Sequence, residues 1–309
     1  MRHETKWVLL SFAQLALAAG CKPDLGQATS LVAERRILAI KTEPAEARPG
    51  QSVSYTALVV SPAGTDAAPA LDWALCLTPK PLDENNIVAH ACLGDSGVMA
   101  VGGPAATVTA ATPSTACQLF GPDPPPQEAG KPPLRPRDPD VSGGFYQPMR
   151  LGDGEVSGFA LERITCNLAS AGADIAIEFA RRYMPNHNPT LQPIRAAVDG
   201  QPAALGAVAA GKTVDFTASW PADAVETFPV YDIVAQTLND HRESMRVSWF
   251  ATDGTFLHER TGRDEGDPGL DSSNRWTAPA GARLVHFWAV LRDSRGGVDT
   301  IAWDVTVTP

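Results

Sequence analysis

His90, Asp95 and Ser96 lie close together in the stretch HACLGDSGV and are the residue types that nucleophilic acyl chemistry requires. A serine hydroxyl becomes a nucleophile only beside a base that is itself held by a third group. Alternation along NNIVAHACLG puts Ile87, Ala89, Ala91 and Leu93 on one face, with Val88, His90 and Cys92 on the other. That phase predicts His90 on the outer face, on a strand that ends at the turn holding Ser96. A Gly-Asp-Ser-Gly run is also good turn chemistry. The reading is a turn, with no catalytic residue.

Two other groups of residues could carry chemistry. DGTFLHERTGRDEGDPGLDSSN holds Asp253, Asp264, Glu265, Asp267 and Asp271, the oxygen ligands that calcium favours. Their spacing matches neither an EF-hand nor a calcium-binding repeat, so the expectation is an acidic loop between strands, with no metal and no cofactor. The six histidines are scattered, without an HExxH pair. Trp220, Trp276 and Trp288 would form a sugar-stacking platform only if exposed together; core positions are the expectation.

Gly94-Asp95-Ser96-Gly97 is identical to the nucleophile motif of trypsin-like proteases, and VAHAC echoes their histidine motif. In that family the two residues come from different barrels, far apart in the chain. Here they are six apart, and Val98 replaces the second glycine. The resemblance transfers no role to this serine.

The amino terminus carries location. Arg2, His3 and Lys6 precede a mostly apolar run from Trp7 to Leu17. The run is too short for a bilayer-spanning helix, which needs about 20 residues, and it suits the apolar part of a secretory signal. Ala18-Ala19-Gly20-Cys21 resembles the lipobox of bacterial lipoproteins, with Ala18 where leucine is usual. The resemblance implies a signal over 1–20, cleavage before Cys21 and lipid on that cysteine. Residues 21–34 then read as lipidated cysteine and tether, and the membrane becomes a partner through the lipid. Lys22 rather than Asp after the cysteine points away from inner-membrane retention, toward the periplasmic or surface face of the outer membrane.

The whole chain carries a formal charge of −10. Residues 1–20 hold Arg2, Lys6 and Glu4, a net +1, so cleavage takes −10 to −11. An acidic chain disfavours nucleic acid, which is bound by neutralising phosphates.

With Cys21 assigned to lipid, Cys76, Cys92, Cys117 and Cys166 remain. An even number in an exported chain predicts disulfides. In LDWALC, Leu71, Trp73 and Leu75 share the core face and Cys76 the other. Cys92 also faces away from the core by phase, so the expected bridge is Cys76–Cys92. Cys117–Cys166 follows by exclusion.

The elements that position these residues are strands. In RILAIKTEPAEARPGQSVSYTALVVSP a strand leads through a Pro/Gly turn to alternating Val53, Tyr55, Ala57 and Val59. GAVAAGKTVDFTASWP repeats the plan with Val214, Phe216 and Ala218, and MRVSWFATDG carries Val247 and Trp249. A strand with a central Trp follows in both halves, which suggests an internal duplication. At the carboxyl end, Val285, Phe287, Ala289 and Leu291 alternate, then Asp293 to Gly297 turn the chain, then Ile301, Trp303, Val305 and Val307 alternate. This is a hairpin with one buried face. DIAIEFARRY reads as a further strand with Ile175, Ile177 and Phe179 on one face, and MPNHNPTLQP as a linker.

RWTAPAG and the hairpin behind it resemble the last strands of bacterial immunoglobulin-like and polycystic-kidney-disease-like domains, and PAEARPGQSV resembles their first turn. The expected fold is all-β: two immunoglobulin-like antiparallel sandwiches, over 35–185 and 186–309. Trp73 and Trp249 take the core position on a central strand. The Pro-rich stretch 120–144 is an insertion in the first. With its anchor, the chain resembles lipoproteins of the myxobacterial type, a resemblance that implies a fold and no activity. The expected function is non-enzymatic: a lipid-anchored cell-envelope protein presenting sandwich domains to a protein or glycan partner. The alternatives are an envelope enzyme or accessory subunit with a dispersed site, and a carbohydrate-binding module.

Overall fold

A computed structural model describes residues 28–309 apart from 82–83, 123, 125–128 and 131–136. The expected signal, Cys21 and residues 22–27 of the expected tether lie outside the described residues, as does much of the Pro-rich stretch.

The described chain forms two sandwiches with one strand plan. In the first, Arg36–Glu43, Ser52–Ser61, Gly64–Thr65 and Thr107–Ala111 make one sheet. The facing sheet runs Glu46–Ala47, Ser157–Thr165, Gly144–Gly152, Asp72–Cys76, Val98–Gly102. In the second, one sheet runs Gln201–Ala203, Arg195–Val198, Thr213–Ser219, Asp271–Thr277, Thr255–Phe256. Its partner runs Ala207–Ala209, Val298–Thr308, Arg283–Asp293, Met245–Ala251, Arg260–Arg263. In each half the first strand pairs antiparallel with the long alternating strand. A short segment then crosses to the other sheet and runs parallel to the last strand: Glu46–Ala47 beside Arg163–Ile164, and Ala207–Ala209 beside Thr306–Thr308. The shared order, with a Trp-bearing central strand, is that of an immunoglobulin-like sandwich.

Inward alternation fills both cores. Val53, Tyr55, Val59, Leu71, Trp73 and Leu75 lie in the first, and Val214, Phe216, Val247, Trp249, Val285 and Phe287 in the second. Trp220 and Trp276 are also buried in the second core and Trp288 is buried as well, so these three form no exposed platform.

Three sequence expectations change. Ala173–Arg182 is an α-helix. Ile175 and Phe179 are four apart and pack with Tyr183, next to the Phe228–Tyr231 segment, and Glu178 pairs with Arg182 one turn on. Alternation at 175, 177 and 179 mimicked a strand, but Ile177 is exposed, and Ala, Glu and Arg favour helix here.

NNIVAHACLG is no strand; His90–Cys92 forms a single 3₁₀ turn. Ile87 and Leu93, expected inward, are exposed, whereas Val88 and Cys92 are buried. Asn and Gly around a short apolar run favour turns over a ladder.

The carboxyl-terminal hairpin is buried on both faces along residues 287–291 of the strand Arg283–Asp293. Trp288 and Val290, on its outer side, pack with Val298 against Val32, Leu38, Ala39 and Val60. The first sandwich therefore lies side by side with the second. Trp288 Nε1 donates to Thr65 Oγ1 at 2.8 Å, Arg292 to the Leu38 carbonyl at 2.9 Å, and Lys41 to Asp299 at 3.0 Å.

Candidate functional site

Cys76–Cys92 and Cys117–Cys166 are disulfide-bonded, with Cα separations of 5.5 and 5.8 Å. The pairs match the expectation, but the phase argument for Cys92 does not hold. The bridge ties a central strand to a 3₁₀ turn, and both sulfurs sit in a satellite cluster with Val88, Ala89 and Phe159.

Ser96 is exposed in the turn that follows. Asp95 pairs with Arg150 at 2.7 Å, and Arg150 also donates to the carbonyls of Leu93 and Gly94. His90 is exposed, and its backbone N–H donates to Glu84. Among the described residues no hydrogen bond joins His90, Asp95 and Ser96. The motif fastens a turn to the strand Gly144–Gly152. Gly97 is required there, because a Cβ would stand 2.8 Å from the Ala91 carbonyl carbon.

The acidic residues each meet an arginine or histidine side chain instead of one another. Asp253 pairs with Arg283, Asp264 with Arg246, Glu265 with His241, and Asp267 and Asp271 with Arg263. Among the described residues no three His, Cys, Asp or Glu side chains converge as metal ligands.

A cavity of about 740 Å³ opens at the end of the first sandwich next to the Cys117–Cys166 bridge. Leu168, Phe179, Tyr183 and Pro185 line it, with Arg48 at its wall. Phe179 and Tyr183 stack with centroids 4.7 Å apart. Such a wall takes an apolar group.

The densest polar chemistry lies between the sandwiches. Arg163 Nε donates to Glu46 Oε2 at 3.1 Å, and the Tyr183 hydroxyl donates to the same oxygen at 2.6 Å. The Asn186 backbone N–H adds a third bond at 2.9 Å. Gly144 makes room for the guanidinium, since a Cβ there would stand 1.8 Å from Arg163 Cζ. Asn186 then donates to Asp293. Beyond it Arg295 donates from Nε to Glu243 at 2.7 Å, and also to Glu226 and the Met184 carbonyl. Arg295 stacks over Phe228, 4.7 Å from its ring centre. Burial pushes the Glu243 carboxyl up to about 7, with the nearby Asp293 charge adding to the effect. Burial also raises Asp293. The residues between the domains are thus tied to both: Asn188 donates to the Thr42 carbonyl and accepts from the Val298 N–H.

A second buried polar layer lies inside the first sandwich. Gln147 and Glu162 are direct cross-strand neighbours facing the core. The Tyr55 hydroxyl, Gln147 Oε1 and both Glu162 oxygens are buried without a hydrogen-bond partner. Burial pushes the Glu162 carboxyl up to about 9. Neither layer was foreseen. The available signal was Glu162 in phase with Ala160 and Ile164 on a strand.

No family model matches the chain, and no curated protein matches it. Among solved structures, a lipoprotein from Bacteroides thetaiotaomicron aligns at 12% identity over 38% of this chain and 82% of its own, with a TM-score of 0.21. Domains 4 and 5 of the S-layer protein SbsC align at 11% identity over 89% of this chain and 100% of theirs, with a TM-score of 0.21. The carboxyl-terminal domain of the Streptococcus agalactiae AgI/II polypeptide BspA aligns at 8% identity over 89% and 99%, with a TM-score of 0.24. At these scores the likeness carries no argument, and the immunoglobulin-like assignment stands on the strand order of the chain itself.

Proposed function

We propose that this chain is a lipid-anchored protein of the bacterial cell envelope, non-catalytic, presenting two firmly joined sandwiches to a protein or glycan partner. The observation that carries the reading is the apolar run ending in Ala18-Ala19-Gly20-Cys21. Two disulfides fit an oxidising compartment outside the cytoplasm. The non-catalytic part is supported by the binding of Asp95 and its turn to Arg150. No helix among the described residues is long and apolar enough to cross a membrane, so attachment falls to the lipid. Several buried acyl chains, each CH₂ contributing about 0.8 kcal/mol, would hold it there.

Cys21→Ser should move the protein from the membrane fraction to the soluble fraction, with loss of acyl mass from the amino-terminal peptide. A variant that stays with the membrane would overturn the reading.

A further inference from the structure

The helix Ala173–Arg182 turns one stripe toward the cavity beside the Cys117–Cys166 bridge. Ala176, Phe179 and Ala180 line the cavity, with Tyr183 just past the helix end. Residues three, four and seven apart share a helical face, so the stripe follows from the spacing. Leu168 continues the apolar wall. A volume of about 740 Å³ lies within the range of sites that enclose a small molecule.

Two polar side chains on this wall are already engaged. The Tyr183 hydroxyl donates to one oxygen of Glu46 at 2.6 Å, and Thr165 Oγ1 donates to the other at 2.8 Å. Tyr183 therefore offers the cavity only its ring. Arg48, Gln118 and Asn167 also line the cavity and are exposed. Their side chains make no hydrogen bond or ion pair among the described residues. The Arg48 backbone is fixed: its N–H donates to Gln51 Oε1 at 3.0 Å, and its carbonyl accepts from Thr112 Oγ1 at 2.8 Å. No aspartate or glutamate is among the described lining residues, in a chain of net charge −10. The wall is thus apolar with one unpaired positive charge and two free amides.

We infer that this cavity binds a small monocarboxylate with an extended apolar body, of the fatty-acid class. The inference goes beyond the anchoring role and does not depend on acylation of Cys21. An arginine fork receives a carboxylate through two parallel N–H···O bonds, and one unpaired cation matches one negative charge. Gln118 and Asn167 supply amide donors without a competing charge. Leu168, Phe179 and the two alanines offer only apolar contact, so the body of the ligand carries no polar group of its own.

The test photolabels the full chain with dodecanoic acid bearing a terminal diazirine, below its self-association threshold, and maps the adducts by peptide mass spectrometry. Saturable adducts on the peptides that hold Leu168 and the helix Ala173–Arg182 are expected, displaced by excess dodecanoate. Arg48→Gln should reduce this labelling several-fold, Arg48→Lys should retain most of it, and Ala176→Trp should abolish it by filling the cavity. Arg181→Gln removes an exposed charge of the same helix outside the cavity lining and should change nothing. Arg48 is exposed, so its variants decide the question even if Ala176→Trp does not fold. No adduct, adducts elsewhere, or labelling that survives Arg48→Gln would overturn the inference. Equal displacement by dodecanol and dodecanoate would overturn it too, since the headgroup charge would then play no part.

Discussion

Arg163 Nε lies 3.1 Å from Glu46 Oε2, with the two side chains 2% and 0% exposed. The pair joins the last strand of the first sandwich to its short crossing segment, and the same carboxylate holds Tyr183 and Asn186 at the start of the interdomain stretch. Removing one partner of a buried ion pair leaves the other charge uncompensated, at a cost of about 3–5 kcal/mol. Glu46→Gln should therefore lower the unfolding free energy, read from urea denaturation, by an amount of that order. A change within about 0.5 kcal/mol, the range of ordinary surface substitutions, would show that Arg163 finds its compensation elsewhere.

Stability should fall as pH rises between 5 and 9. Burial pushes the Glu162 carboxyl up to about 9 from its ordinary 4.5, and the Glu243 carboxyl up to about 7. Above 4.5 the unfolded chain has released protons that the folded chain keeps. Each such group then costs up to about 1.4 kcal/mol per pH unit until its folded value is passed. Asp153, Asp267 and Glu259 are held low by hydrogen bonds, are ionised in both states across this window, and add no slope. Urea midpoints measured across the range should decline, and Glu162→Gln should flatten the decline and raise the midpoint at pH 8. A wild-type profile that is level or rising would contradict the burial argument.

Trp288 tests whether the two sandwiches behave as one body. It is 1% exposed because the first sandwich covers it. Trp288→Ala should cost about 3–5 kcal/mol by loss of packing and split a single calorimetric transition into two. One unchanged transition would mean that the polar network alone couples the domains.

Ser96 should be inert. Purified mature protein should not react with a fluorophosphonate probe, and Ser96→Ala should fold as the parent does. Labelling of the parent that vanishes in Ser96→Ala would establish a nucleophile and end the non-catalytic proposal.

Strand alternation made much of this fold legible. Val53 to Val59, Val214 to Ala218 and Val285 to Leu291 all face cores, because a two-residue period with one apolar face has a single solution at a sheet surface. What alternation could not supply was the second face. Trp288 and Val290 sit where a lone sandwich meets water, and only the neighbouring domain explains their burial. The helix at 173–182 was hidden because three apolar residues in strand phase also include an i, i+4 pair. The pairing of Arg163 with Glu46 is hidden for a different reason: the partners are separated by 117 positions, and a charged residue on a strand reads as solvent-facing. The cavity at Leu168 and Tyr183 depends on that helix and was equally out of reach.

The seating of residues 29–32 on the second sandwich has a consequence for the order of events during synthesis. Their partners Ala251 and Glu259, which bond Val32 and Thr29, are made late, more than two hundred residues after them. The first sandwich can close its own sheets as soon as Thr165 has emerged, but its leading segment must wait unclasped. Completion of the carboxyl-terminal domain is therefore also the step that fixes the amino-terminal stretch. A chain truncated before Ala251 would leave Val32 and the outer face of Leu38 and Val60 open to water, and so become a target for proteolysis.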